Sequence, residues 1–198
     1  MGSEMCIRDR CGPVMMEYAT EEQKERYLPP MAEGKEIWCQ LFSEPSAGSD
    51  VAGLRSKAVQ DGDKWIINGQ KVWTSGAHFS DFGILVVRHD PNEAKHKGMT
   101  FFFVDMKSPG IEVKPIKQIT GGSSFNEVYF TDVEIPDSQR LGEIGDGWKV
   151  AITTLMNERL AVGDADGADV EDAFRWAKTQ DSQGELCLLY TSPSPRDS

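Results

Sequence analysis

The chain has 198 residues, 39% of them hydrophobic and 27% charged, with a formal net charge of −11. This length holds one or two small domains with a real core, and no apolar run approaches the roughly 20 residues of a membrane helix. The acidic balance repels phosphate backbones and anionic bilayers, which argues against nucleic acid or membrane partners. Residues 1–11 lack the apolar core of a signal peptide and do not read as native protein. Residues 12–37 read as helical, the end of an N-terminal helical domain. Thr20 is an N-cap, with Gln23 at the capping-box position. This helix is expected to stop at Pro29-Pro30, with a short turn before the strand Ile37–Phe42.

From Trp38 to Pro136 the pattern is β. Asn68-Gly69, between Trp65-Ile66-Ile67 and Gln70-Lys71-Val72-Trp73, predicts a two-residue hairpin turn, because both residues tolerate positive φ. That register puts Trp65 and Val72 on one face, and Ile66, Lys71 and Trp73 on the other. Phe82–Arg88 and Met99–Asp105 are continuous apolar strands, whereas Ile111–Ile116 and Glu127–Thr131 alternate. The residues between His89 and Gly98 are polar and form a surface loop. Turns at hairpin-like intervals indicate a barrel or sandwich. A last helix starts near Asp146, with Trp148, Ile152, Leu155 and Val162 as its apolar stripe and Glu158-Arg159 at its border. It opens a segment, 137–185, read as a linker and the start of a C-terminal helical domain. Residues 186–198 again look non-native.

Of the four cysteines, Cys6, Cys11, Cys39 and Cys187, none has zinc or redox spacing. Cys39 reads as a reduced core thiol, which places the protein in the cytoplasm. His78, His89 and His96 are isolated in sequence, so no metal site is expected. The chemistry concentrates elsewhere. The strand ending at Ser43 runs into a turn built from Pro45, Ala47-Gly48 and Ser49-Asp50, which sets polar groups at a rim. Such a turn is by itself an ordinary strand ending. Lys71-Val72-Trp73-Thr74-Ser75 adds a large aromatic outside the core, followed by two hydroxyls, a combination suited to a planar ligand.

Ser43-Glu44-Pro45 with Ala47-Gly48-Ser49-Asp50, then Asn68-Gly69-Gln70-Lys71-Val72-Trp73-Thr74-Ser75, resembles the middle β-domain of the acyl-CoA dehydrogenases. Pro109-Gly110-Ile111-Glu112-Val113, Phe125-Asn126-Glu127-Val128-Tyr129-Phe130, Val133-Glu134-Ile135-Pro136 and Gly145-Asp146-Gly147-Trp148 extend the likeness in order, from Met15 to Gly163. Ser46 departs from the family's more frequent glycine. The resemblance implies a mostly β fold, a middle-domain β-barrel flanked by truncated helical pieces, in a fragment of a longer enzyme. It implies FAD, with Gln40, Leu41, Phe42 and Ser43 along the flavin, Trp73 packed on it, and Thr74 and Ser75 beside it. Ser49 and Arg159 would meet an acyl-CoA substrate. The implied reaction is α,β-dehydrogenation, in which a glutamate takes the α-proton and the β-hydride goes to flavin N5. Glu158 stands where a minority of the family carries that base; most carry it in a C-terminal domain. The implied partners are an electron-transfer flavoprotein and further copies of the chain. An oxidase or flavin monooxygenase of the same fold, and a β-domain that only binds, remain as alternatives.

Overall fold

The computed structural model describes residues 10–163, and the statements below concern these. Helix α1 covers Gly12–Tyr18 and α2 covers Glu21–Ala32. Eight strands follow: β1 Trp38–Leu41, β2 Lys57–Asp61, β3 Lys64–Ser75, β4 Phe82–Arg88, β5 Met99–Asp105, β6 Ile111–Pro115, β7 Phe125–Pro136 and β8 Arg140–Leu141. Helix α3 spans Gly147–Gly163.

The mostly β expectation holds, but the sheet is open rather than a closed barrel. Its strands run β6-β7-β3-β2-β4-β5-β8, so β6 and β8 remain as edges. Strand β1 lies parallel to β4 from Trp38↔Phe82 to Leu41↔Leu85, and β2 touches β4 only at Lys57↔Arg88. One edge of β4 is therefore shared between two strands, and the sheet divides there.

Burial explains which strands are uniformly apolar. Ile84 and Val86 of β4, with Phe101 and Phe103 of β5, face a core shared with Val14 and Met15 of α1, Met31 of α2, and Val150 and Ala151 of α3. Their neighbours Leu85, Val87, Phe102 and Val104 face a second core, against Trp65 and Ile67 of β3 and Val128, Phe130, Val133 and Ile135 of β7. With both faces covered, β4 and β5 cannot alternate apolar with polar residues.

The helices depart from expectation in two places. In α2 the Thr20 capping box forms, with the Gln23 amide donating to Thr20 Oγ1 at 3.2 Å and the Thr20 amide to Gln23 Oε1 at 2.9 Å. The helix nevertheless continues through Pro29-Pro30 to Ala32. The prolines lie in its last turn, and their carbonyls still accept from the Glu33 and Lys35 amides at 3.0 and 2.9 Å. In α3 the buried face carries Val150, Ala151 and Thr154, while Ile152 is 37% exposed, so the apolar stripe is offset from the one expected. The Val162 side chain lies outside the described ones.

The largest correction concerns Asn68-Gly69. Strands β2 and β3 pair with Asp61 opposite Lys64, so the two-residue turn is Gly62-Asp63, with Gly62 at φ 64°. Asn68-Gly69 lies inside a continuous twelve-residue strand, where the register against β7 slips between Ile67 and Gly69. Asn68 Nδ2 donates to Asp132 Oδ1 at 2.9 Å, and the Asp132 amide donates back to Asn68 Oδ1 at 3.0 Å, with Asp132 at φ 48°. The extra residue of this β-bulge belongs to β7, where Thr131 and Asp132 stand opposite Asn68, and within the dipeptide only Gly69, at φ 153°, has positive φ. A Cβ on Gly69 would stand 2.3 Å from Ser56 Oγ and 2.7 Å from Ser56 Cα. The face assignment built on a hairpin fails with it: Trp65, Lys71 and Val72 are all buried, and Trp73 is exposed.

Candidate functional site

A cleft of about 290 Å³ opens between the end of β1 and the end of β3. Gln40, Phe42 and Ser43 line it from the first, and Val72, Trp73 and Ser75 from the second. Phe125 of β7, Glu158 of α3 and Arg10 complete it. Past Leu41 the chain leaves β4, and β3 takes hold of it: the Val72 amide donates to the Ser43 carbonyl at 2.8 Å.

A second slip in the β3–β7 register falls between Lys71 and Thr74, and Trp73 sits within it at φ 59°. Left-handed backbone is costly for a bulky side chain, so the surroundings must enforce it. Asn126, fully buried, supplies part of that constraint by donating from Nδ2 to the Thr74 carbonyl at 2.9 Å. Its Oδ1 lies 3.1 Å from His78 Nδ1. The result is an indole that is 60% exposed, backed edge-on by Phe125 at 6.1 Å between centroids. Two buried polar atoms nearby, Gln40 Oε1 and Thr74 Oγ1, have no hydrogen-bond partner. Such atoms each cost about 1–3 kcal/mol unless something satisfies them.

Lys71 and Glu44 form a buried ion pair adjoining these segments, with Nζ 2.8 Å from Oε1. Burial pushes the Lys71 ammonium down to about 8 although Glu44 pulls it up. For Glu44, burial alone would raise the carboxyl. The charge and hydrogen bond of Lys71, with donors from Arg55 and Ser56, instead leave it below the ordinary range.

Five residues expected around a flavin, Gln40, Phe42, Ser43, Trp73 and Ser75, thus line one cleft, and Glu158 joins them. Leu41 does not: its side chain is fully buried in the second core. Thr74 is 1% exposed and lies behind the cleft lining rather than in it. Ser49 and Arg159 are exposed and line no part of the cleft. Glu158 Oε1 accepts from Arg10 Nη2 at 2.7 Å, an ion pair with a residue of the segment read as non-native. Phe125, Val72 and the Lys71–Glu44 pair were not anticipated as parts of the site. The Phe125-Asn126 motif was the available signal for the first of these.

A second cleft, about 410 Å³, lies between Leu54–Val59 and Arg88–Pro91, bordered by Arg55, Lys57 and Arg88. It contains none of the anticipated residues. Among the described residues no helix is long and apolar enough to cross a membrane, and no group of three or more His, Cys, Asp or Glu is placed to hold a metal.

Residues 39–133 match the family described as Acyl-CoA dehydrogenase, middle domain. The chain is 47% identical over 186 residues to Acyl-CoA dehydrogenase FadE34 of Mycobacterium tuberculosis, which covers 89% of this chain and 26% of that protein. It superposes on a solved structure titled Tcur3481-Tcur3483 steroid ACAD with a TM-score of 0.79 and 36% identity, covering 88% of this chain and 46% of the other. A structure titled FAD-dependent dehydrogenase gives a TM-score of 0.75 at 27% identity, over 79% of this chain and 42% of the other. The chain therefore spans between about a quarter and half the length of these relatives. With the sequence motifs and the fold in agreement, the chain belongs to the acyl-CoA dehydrogenase family, and residues 39–133 are its middle domain.

Proposed function

We propose that the β1/β3 cleft is one wall of an FAD site, and that the protein carries out α,β-dehydrogenation of an acyl-CoA thioester. The carrying observation is the convergence of Gln40, Ser43, Trp73 and Ser75 on one cleft, with the indole of Trp73 held out of the core at positive φ. The residues fit the group. An isoalloxazine ring is planar and edged with donors and acceptors. The cleft offers an aromatic face, two serines, and a Gln40 Oε1 that has no partner of its own. When bound, FAD supplies the acceptor for the β-hydride.

The chain's own residues do the rest. Trp73 walls the ring, and the polar side chains of Gln40, Ser43 and Ser75 fix its edges. Among the described cleft-lining residues Glu158 is the only carboxylate, and it takes the α-proton. To do so it must part from Arg10, which holds it at 2.7 Å. Ser49 and Arg159 act on the CoA and substrate side, outside the cleft proper. We assign an electron-transfer flavoprotein as the acceptor and a homo-oligomer as the working form.

The test is made on the full chain mixed with FAD and a saturated acyl-CoA. A yellow protein with bound flavin after gel filtration is the expected result, and a colourless one sinks the reading. Glu158→Gln should keep the flavin but slow exchange of the acyl α-proton with D2O by about 10²–10⁴-fold. Exchange at the wild-type rate would place the base elsewhere.

A further inference from the structure

The division of the sheet leaves a gap along β4. Strand β1 pairs with it as far as Leu41↔Leu85, and β2 joins only at Arg88. Between them the Val86 carbonyl has no strand to pair with. On the other side, Phe42 has left β4, and its carbonyl would also lack a partner. The Phe42 ring meanwhile packs edge-on against Phe101 at 5.6 Å in the first core. A buried carbonyl without a donor is costly, and two facing one gap call for a donor between them.

Lys71 provides it. Its Nζ donates to the Phe42 carbonyl at 3.1 Å, the Val86 carbonyl at 2.8 Å and Glu44 Oε1 at 2.8 Å. An ammonium has three N–H bonds, and these three acceptors use all of them. Glu44 in turn accepts from the Arg55 amide at 2.6 Å and the Ser56 amide at 3.1 Å, which fastens the loop after Ser43 to the chain entering β2. Both ends of this clamp adjoin the cleft: Phe42 precedes Ser43 on one wall, and Lys71 is two residues before Trp73 on the other.

Resting on the flavin reading above, we propose that Lys71 is a positioning residue for the FAD site: its ammonium bridges the divided sheet and fixes the spacing of the two cleft walls. A pair retained only for stability would be a poor choice, because desolvating two charges costs several kcal/mol per ion, and apolar replacements are often as stable. The geometry gives the pair a different use. Three elements, β1, β3 and β4, meet at one Nζ, and no apolar side chain could satisfy both carbonyls there. Glu44 is the charged group that faces Lys71; from β1 and β4 it meets carbonyl oxygens alone.

The experiment compares FAD affinity and urea unfolding in the full chain for wild type, Lys71→Met, and the neutral double variant Lys71→Met with Glu44→Gln. The single variant leaves Glu44 unpaired and can fail to fold; the double variant removes that difficulty. The expected result is a double variant that still unfolds cooperatively, at a midpoint lowered by the two carbonyls that lose their donor, and that in its folded state binds FAD at least about tenfold more weakly, as a misplaced wall demands. A double variant that folds and binds FAD as the wild type does overturns the inference.

A second readout needs no substitution. Above pH about 8 the Lys71 ammonium loses a proton and with it one of its three donors. Its native pKa lies below the ordinary 10.5, so in that window the unfolded chain binds more protons. The group's share of folding stability therefore grows as pH rises. FAD affinity in the wild type should fall through pH 8 while the urea midpoint does not, and the double variant should lose that inflection. A pH-independent affinity between 7 and 9 overturns the inference. A wild-type chain that takes up no FAD overturns the flavin reading and this inference together; flavin binding indifferent to both readouts overturns this inference alone.

Discussion

Strands β4 and β5 pair without interruption from Phe82↔Asp105 to Arg88↔Met99, whereas the β3–β7 pair slips twice. The first pair lies between two cores and makes no contribution to the cleft lining. The second carries two non-glycine residues at positive φ, Trp73 and Asp132, and contributes Val72, Trp73, Ser75 and Phe125 to the cleft. A regular ladder consumes its own hydrogen-bonding groups and alternates its side chains predictably, so it leaves nothing over for a ligand. Each slip releases one residue from that alternation and re-aims it. The site is built where the ladder fails, and the intact ladder beside it meets the cost.

Substitutions in the two pairs should separate these roles, and the largest effect belongs to the regular one. Phe102 is fully buried in β5 and packs 5.3 Å from the Trp65 ring. Phe102→Ala should cost about 3–5 kcal/mol in urea unfolding. A loss under 1 kcal/mol would mean that the β4–β5 layer does not carry the fold. Next comes the first slip. Gly69→Ala forces a Cβ against Ser56, with backbone Cα only 2.7 Å away, and should cost about 1–3 kcal/mol. Gly62→Ala, at the true turn, meets nothing within 4 Å and bears only the left-handed penalty of about 1–2 kcal/mol. Calorimetry on the two alanine variants ranks them. A costlier Gly62→Ala would undo the account of Gly69 as a close-approach residue.

The same contrast decides what was legible in the sequence. The limits of β4 and β5 match the expected Phe82–Arg88 and Met99–Asp105, because burial on both faces writes an unbroken apolar run. The Thr20 cap was legible because its chemistry is local. The Asn68-Gly69 hairpin was not, since close approach to Ser56 calls for a glycine as much as a turn does, and the real turn, Gly62-Asp63, carries an equally ordinary signal. Most of the cleft was found through the motifs that carry the family resemblance. Leu41 was misplaced within it, although alternation alone sets Gln40 and Phe42 on one face of β1 and Leu41 on the other. The Lys71–Glu44 pair was invisible: the two residues are 27 positions apart, and nothing local marks a lysine as wholly buried.

Trp73 gives the smallest expected change in stability and the sharpest test of the comparison. Its indole gains little from burial, being 60% exposed, and its edge contact with Phe125 contributes about 0.5–1.5 kcal/mol. Against that stands the left-handed backbone at φ 59°, which costs an L-residue about 1–2 kcal/mol. Trp73→Gly removes both and adds about 0.5–1 kcal/mol of unfolded-state entropy. The three terms nearly cancel, so the unfolding free energy should move by less than about 1 kcal/mol in either direction. FAD retention on gel filtration should nevertheless drop, and in Trp73→Ala as well. If Trp73→Gly instead unfolds the protein as Phe102→Ala does, the indole is a packing residue like those of β5, and the division of labour between the two strand pairs does not hold. If it leaves both stability and flavin content unchanged, the second slip serves some purpose other than presenting Trp73.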